Sequence, residues 1–191
     1  MSKETAYRCG VRDLYVSHIT VGEDGKLTYG EPYVLGGTAS VGVSYVYGEN
    51  KVYESDVMVR NKRRMTGINV NYSSRSVALE EQMKLFMGST AATAAAGDFE
   101  ESPDDEASPV AVGWAAPRTD GSFLCTWVYY ATCSQGDESY ETSTENENTP
   151  ADSFTFAGIP SSETRKIRRR KVCKNEAEMQ AFFASVLPTK A

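Results

Sequence analysis

Nucleophilic catalysis would need a serine or cysteine beside a positioned base, and the chain contains a single histidine, His18. Histidine is the usual base for such nucleophiles. His18 continues an alternating segment in which Leu14, Val16 and His18 fall on one face, which predicts a strand histidine. The sequence contains no G-x-S-x-G nucleophile elbow. We therefore expect no catalytic residue and no enzyme activity.

Metal and cofactor chemistry has equally little support. The cysteines show no C-x-x-C spacing, and one histidine offers no second imidazole for a zinc site. We expect reduced, mostly buried thiols, no metal and no cofactor. The cysteines are Cys9, Cys125, Cys133 and Cys173.

Carboxylates and glycines are numerous but lack the setting that chemistry needs. The acidic residues concentrate in residues 98–106 and 137–147, which are poor in apolar side chains, so their pKa values should stay ordinary. We interpret both as solvated loops. The glycines form no G-x-x-x-x-G-K-[ST] or G-x-G-x-x-G pattern, so no nucleotide site is predicted.

A basic run is the strongest charge feature, because seven of the ten residues at 165–174 are Lys or Arg. Such a run could neutralise phosphates. Against nucleic-acid binding stand the net charge of −6 and the absence of aromatic residues for base stacking. We favour pairing with residues 98–106 or 137–147, within the molecule or across a subunit contact. The candidate docking-face residues are Arg165, Lys166, Arg168, Arg169, Arg170 and Lys171.

The elements that must position these residues read as mainly β. A chain of 191 residues with 40% hydrophobic residues suits a single domain over residues 1–191. Tyr, Val, Thr and Ser are plentiful, and Gly and Pro recur at short intervals, as in chains of many short strands. With no apolar run of eighteen residues and no apolar signal region, we expect a soluble protein made in a cytosol.

Two helices interrupt the strands. Residues 78–87 place Leu79, Met83, Phe86 and Met87 on one stripe before a C-capping Gly88, and this stripe is expected to pack into the core. After a basic strand at 165–173, Asn175 and Glu178 form a capping box. The helix that follows should pack on the sheet through Met179, Phe182, Phe183, Val186 and Leu187.

Residues 48–67 predict a long charged hairpin with too few large apolar residues to fold against its own core. Such arms usually find a partner on another chain. The acidic loop at residues 89–108 lies farther along the chain. The candidate inter-subunit or inter-ring contacts of the hairpin are Lys51, Tyr53, Glu54, Asp56, Arg60, Lys62, Arg63 and Arg64.

The order of several short motifs resembles the phi13-type major tail proteins, the tail tube subunits of long-tailed bacteriophages. The motifs follow in order along nearly the whole chain, and none is a chemical signature by itself. They are Gly10-Val11-Arg12-Asp13-Leu14-Tyr15-Val16, Gly25 with Tyr29-Gly30-Glu31-Pro32, Gly67-Ile68-Asn69-Val70, and the stretch from Asp104 to Trp114.

The resemblance implies a β-sandwich or barrel of the tail-tube type, with one flanking helix and a C-terminal helix. It implies homohexameric rings that stack into a hollow tube of the virion tail, assembled in the host cytoplasm. DNA would pass through an acidic lumen without specific binding, and the hairpin would reach a neighbouring subunit or ring. Implied partners are other tail proteins such as the tape measure, initiator or terminator, and a sheath in a contractile tail.

Two other functions remain open from the residues. A carbohydrate- or receptor-binding β-sandwich module of a phage tail would expose aromatic side chains in a groove. A DNA-binding protein would use the basic run at 165–174. The candidate aromatic residues for the first are Tyr7, Tyr15, Tyr45, Tyr47 and Tyr53.

Overall fold

The computed structural model describes residues 6–54, 57–88, 97–136 and 151–188. The prediction of a mainly β chain is confirmed, since strands dominate and two short helices accompany them. The strands are β1 Arg12–Val21, β2 Leu27–Tyr29, β3 Tyr33–Val34, β4 Thr38–Glu54, β5 Val57–Ser74, β6 Val110–Pro117, β7 Phe123–Gln135, β8 Asp152–Gly158 and β9 Arg168–Cys173; the helices are α1 Leu79–Phe86 and α2 Glu176–Phe183.

All these strands belong to one antiparallel sheet with the order β2-β1-β6-β7-β8-β5-β4, with β3 beside β1 and β9 beside β7. Within the described residues no strand pairing joins β4 to the opposite end of this order, so the sheet is open.

Strand β7 organises the bend of the sheet. One of its edges pairs with β6, while the other pairs first with β9 through residues 123–128 and then with β8 through residues 131–135. The register with β6 shifts between Val112 and Val110, opposite Val128 and Ala131, which marks a β-bulge. The bend lets buried residues from β1 and β5, distant in strand order, share one apolar cluster with α1.

The opposite face of β1, β6 and β7 packs against α2. Trp127 is fully buried there and meets Phe183 edge to face, with ring centroids 5.6 Å apart. Gly113 lies beneath this pair, and a Cβ atom at that position would come 2.7 Å from Trp127 Cε3. Strand residues on this part of the sheet are therefore buried on both faces, unlike those of an ordinary half-exposed antiparallel sheet.

Helix α1 corrects the predicted stripe. Leu79 is 48% exposed, whereas Leu85, which the stripe omitted, is fully buried with Met83 and Met87. The helix packs Leu85 into the main cluster, and Met83 and Met87 form a small cluster with Phe99. Leu79 is the first residue of the helix and belongs to neither of these two clusters.

Helix α2 begins as predicted. The Asn175 side chain accepts a hydrogen bond from the Glu178 backbone N–H at 2.9 Å, and the Glu178 carboxylate accepts one from the Lys174 N–H at 3.0 Å. The helix is shorter than expected, because it ends at Phe183; Val186 beyond it is buried and Leu187 is 38% exposed.

The smaller expectations divide as follows. His18 lies in β1, as predicted. The thiols are free, and Cys125, Cys133 and Cys173 are buried while Cys9 is exposed. None of the helices described has the length and apolar character needed to cross a membrane.

Candidate functional site

The hairpin predicted at residues 48–67 is present and projects from the sheet. Strands β4 and β5 pair from Thr38 and Ser74 out to Glu54 and Val57. Strand β8 pairs with β5 only from Ile68 onward. The part of the hairpin beyond Gly67, which we call the arm, is therefore a two-stranded ribbon. Its seven β4 residues, 48–54, extend about 23 Å at the usual rise of about 3.3 Å per residue.

The arm carries different charges on its two faces. On one face the paired residues place Arg60, Lys62 and Arg64 in a row, opposite Val52, Asn50 and Gly48. Among the described residues none of these three cations has a carboxylate within ion-pair distance.

On the other face of the arm, Glu49 contacts Lys51 at 3.2 Å and Arg63 at 3.8 Å. Of the remaining predicted contact residues, Tyr53 and Glu54 lie at the outer end of β4, and Asp56 lies outside the described residues.

Two tyrosines at the base of the arm are covered by arginines. The Arg168 guanidinium lies 4.8 Å from the centre of the Tyr45 ring, and its Nη1 donates to the Tyr45 hydroxyl at 2.8 Å. Arg63 lies 4.4 Å from the centre of the Tyr47 ring. One face of each ring is therefore engaged by a cation, while Tyr45 and Tyr47 remain 42% and 45% exposed. Tyr15 likewise stacks on Phe183 at 4.1 Å, whereas Tyr7 is 66% exposed.

The outer edge of β4 is unpaired in the described part of the chain, where β5 is its single strand partner. Residues 38–48 of this edge contain neither a charged residue nor a proline. Natural sheets usually protect an edge with charge, proline or shortness, because free N–H and C=O groups invite another strand. Along that stretch the edge lacks charge, proline and shortness, and its departures from regular pairing are the register shifts at Thr38/Ser40 and Val46/Tyr47.

The basic run is divided between two faces of the sheet. Arg169 pairs in register with Trp127 and lies 4.7 Å from the Phe182 ring on the α2 side. Lys171 follows it on that side. Arg168 and Arg170 point to the other side, and Arg165 and Lys166 belong to the exposed turn before β9, where Arg165 adopts φ +55°.

Arg168 and Arg170 line a cavity of about 450 Å³ between β4 and the β6-β7-β9 part of the sheet. Arg170, Thr126 and Trp114 form one cross-strand row in its wall. Arg8, far away in sequence, also lines it, together with Val41, Val43, Tyr45 and Leu124. The cavity collects residues from five separate segments, so no local pattern could have revealed it.

A third surface is uncharged and polar. Where β4, β5, β8 and the end of β7 lie side by side, their outward residues are small and neutral. They include Gly42, Ser44, Asn69, Asn71, Ser73, Ser134 and Thr155. Thr155 donates to the Asn71 side chain at 3.1 Å, and Ser40 and Ser73 lie within 3.2 Å of each other. No helix of the described chain packs on this face.

Away from these surfaces, His18, Tyr33 and Glu81 form a small network of titratable groups. His18 Nε2 lies 3.1 Å from the Tyr33 hydroxyl, and burial lowers the pKa of His18. The pKa of Glu81 is lowered by hydrogen bonds from Lys84 and Tyr33, which outweigh its partial burial. Within the described residues, no group of three His, Cys, Asp or Glu side chains is close enough to hold a metal ion.

Comparison with known proteins gives no further guide, since no family model matches this chain and no curated protein is significantly similar to it.

Proposed function

We propose that this protein is a structural subunit that assembles with copies of itself into the hollow tail tube of a bacteriophage. The observation that carries the proposal is the β4-β5 hairpin, which combines a long, unprotected strand edge with an arm that leaves the sheet. An edge of this kind can accept a strand from a neighbour through main-chain hydrogen bonds. Repetition of that contact around an axis closes a ring.

The resemblance in motif order supplies the rest of the proposal. The motifs fall in β1, around β2, in β5 and in β6, so they cover the centre of the sheet as well as its edges. By that resemblance the fold is of the tail-tube type, the rings are hexamers, and they stack in the virion tail. The partners would be further copies and other tail proteins such as the tape measure, initiator or terminator, and a sheath where the tail contracts.

The uncharged polar face gives a physical reason for DNA passage. At residues 42–44 and 69–73 it carries no cation that would hold phosphates; on the same face of β4, the cations Arg60, Lys62 and Arg64 begin only in the arm. We place this face toward the lumen. A neutral lining would differ from the acidic lining that the resemblance implies. An acidic surface repels the phosphates of DNA, whereas a neutral surface neither attracts nor repels them.

The proposal is tested by removing the arm. Residues 49–63 are replaced by Asn-Gly, which closes the chain between the paired Gly48 and Arg64 with a tight two-residue turn. The wild-type chain, followed over a range of concentration and salt, is expected to form rings or tubes with six-fold end views in negative-stain electron microscopy. The shortened chain should keep its β-sheet circular dichroism and its cooperative unfolding, yet remain monomeric.

A matched control keeps the arm and changes its charge. Lys62→Gln with Arg64→Gln leaves both strands in place, so assembly by strand pairing should persist. Tubes of normal length from the shortened chain would refute the role of the arm. A wild-type chain that stays dispersed at every concentration and salt tested would count against the tube function itself.

A further inference from the structure

The arginines of the cavity lack their natural counterions. Arg8, Arg168 and Arg170 line it, and no carboxylate of the described chain lies within ion-pair distance of any of them. Thr126, which is 2% exposed, also lines the cavity. Guanidinium groups bind carboxylates through paired N–H donors. Arg168 already contacts the Tyr45 ring and hydroxyl, whereas Arg8 and Arg170 have no such partner among the described residues and keep their N–H donors available to a carboxylate.

The acidic segment at residues 98–106 carries the opposite charge and also lacks ion-pair partners in the described structure. Its carboxylates make no ion pair among the described residues. The segment is nonetheless held in place: Phe99 packs on Met83 and Met87 of α1, and Asp105 accepts a hydrogen bond from the Ser102 N–H at 2.8 Å. The carboxylates belong to Asp98, Glu100, Glu101, Asp104, Asp105 and Glu106.

The acidic segment precedes β6, whereas the arginines of the cavity lie at successive levels along that strand, beginning with Arg168, which is level with Val112. The acidic segment leads into Pro109, at the start of the strand. Arg170 is level with Trp114, and Arg8 bridges to Arg118 beyond the other end. Five and nine strand residues separate these levels from Pro109, or about 17 and 30 Å at about 3.3 Å per residue. Among the described residues no ion pair joins the acidic segment to Arg8, Arg168 or Arg170.

From this polarity we infer that the arginine-lined cavity of one subunit receives the acidic segment, residues 98–106, of a second copy. The contact is head to tail, because donor and acceptor surfaces differ, and such contacts build rings or filaments rather than closed dimers. The inference rests on the proposed function in that the partner is another copy of this chain. It adds which surfaces meet and by what chemistry.

The contact can be measured without assembly. A peptide of residues 97–108 is titrated against the full chain at low salt, with Trp114 in the cavity wall as a fluorescent reporter. Binding should weaken at least tenfold in Arg8→Glu/Arg170→Glu, and it should vanish for a peptide whose acidic residues are replaced by Asn and Gln. Lys171→Glu/Lys174→Glu is the matched control, since it changes charge equally on the same segment but away from the cavity, and should bind like wild type.

A second experiment exchanges the charges of the two surfaces. Arg8→Glu/Arg170→Glu and the fourfold variant Glu100→Lys/Glu101→Lys/Asp104→Lys/Glu106→Lys, which reverses the net charge of the acidic segment, should each assemble poorly alone. An equal mixture should assemble, because every junction between unlike variants then joins opposite charges. Equal peptide binding by wild type and Arg8→Glu/Arg170→Glu, or a mixture that assembles no better than its components, would overturn the inference. Should wild type bind the peptide but never assemble, the contact stands and the tube function fails.

Discussion

The hydrogen bond between Tyr45 and Arg168 ties the base of the arm to β9, and it can be tested with the loss of one oxygen atom. Tyr45→Phe removes the hydroxyl that accepts from Arg168 Nη1 at 2.8 Å, but keeps the ring on which the guanidinium lies. A hydrogen bond to a charged group contributes about 1.5–3 kcal/mol when buried. Tyr45 is 42% exposed, so we expect a loss of about 1 kcal/mol in the free energy of unfolding.

Tyr47 provides the matched control. Its ring also lies against an arginine, Arg63, but its hydroxyl makes no hydrogen bond in the described structure. Tyr47→Phe should therefore change the free energy of unfolding by less than about 0.5 kcal/mol.

Urea denaturation of the monomer gives both values. With a slope of about 2 kcal/mol per molar urea, Tyr45→Phe should lower the midpoint by about 0.5 M and Tyr47→Phe should leave it nearly unchanged. Arg168→Met completes a double-mutant cycle with Tyr45→Phe, and the two losses should be less than additive because they share one interaction. Equal effects of the two Tyr→Phe changes, or strict additivity in the cycle, would show that the hydrogen bond does not stabilise the base of the arm.

The remaining predictions concern the two sides of the sheet. Gly113→Ala would place a Cβ 2.7 Å from Trp127 and 3.0 Å from Phe183, so it should lower the free energy of unfolding by about 1–3 kcal/mol. Gly42→Ala is the control, because the nearest atom to its Cβ would lie at 3.7 Å, and it should be tolerated. Equal urea midpoints for the two variants would show that Gly113 is not in close contact with these rings. Burial holds the pKa of His18 in the folded chain below its ordinary 6.5. As the pH falls, the unfolded chain therefore binds a proton at His18 before the folded chain does. The free energy of unfolding should accordingly fall as the pH drops from about 7.5 to 5.5. His18→Gln should flatten this dependence, and an unchanged slope would assign it to other groups.

The parts of the fold that sequence predicted well are those with local causes. The alternation around Leu14 and Val16 gave β1, and the Asn175 cap with Glu178 gave the start of α2, because hydrogen bonds and side-chain period act over a few residues. The α1 stripe was partly wrong for the opposite reason. Periodicity placed Leu79 on the apolar stripe and left Leu85 off it, whereas the position of the helix over the sheet exposes Leu79 and buries Leu85.

The functional surfaces divide in the same way. The arm was predictable, since its length and charge are written in one continuous segment. The cavity was not, because the pairing of β6, β7 and β9 brings together Trp114, Thr126 and Arg170, and Tyr45 of β4 and Arg8 reach them only in the folded chain. The basic run was visible as charge, but its division depends on β9 lying between two environments, one facing α2 and one facing β4.

If the chain assembles as proposed, its free strand edge and its unevenly charged sheet would solve different problems. Backbone hydrogen bonds along an edge can hold either a parallel or an antiparallel neighbour, so edge pairing alone does not fix which way each copy points. In the proposed contact, the acidic segment before β6 and the arginines farther along it would fix the direction, because a reversed copy would bring arginines to arginines and carboxylates to carboxylates, and like charges brought together oppose binding. The charge pattern would then favour copies that all point one way, as the proposed tube requires.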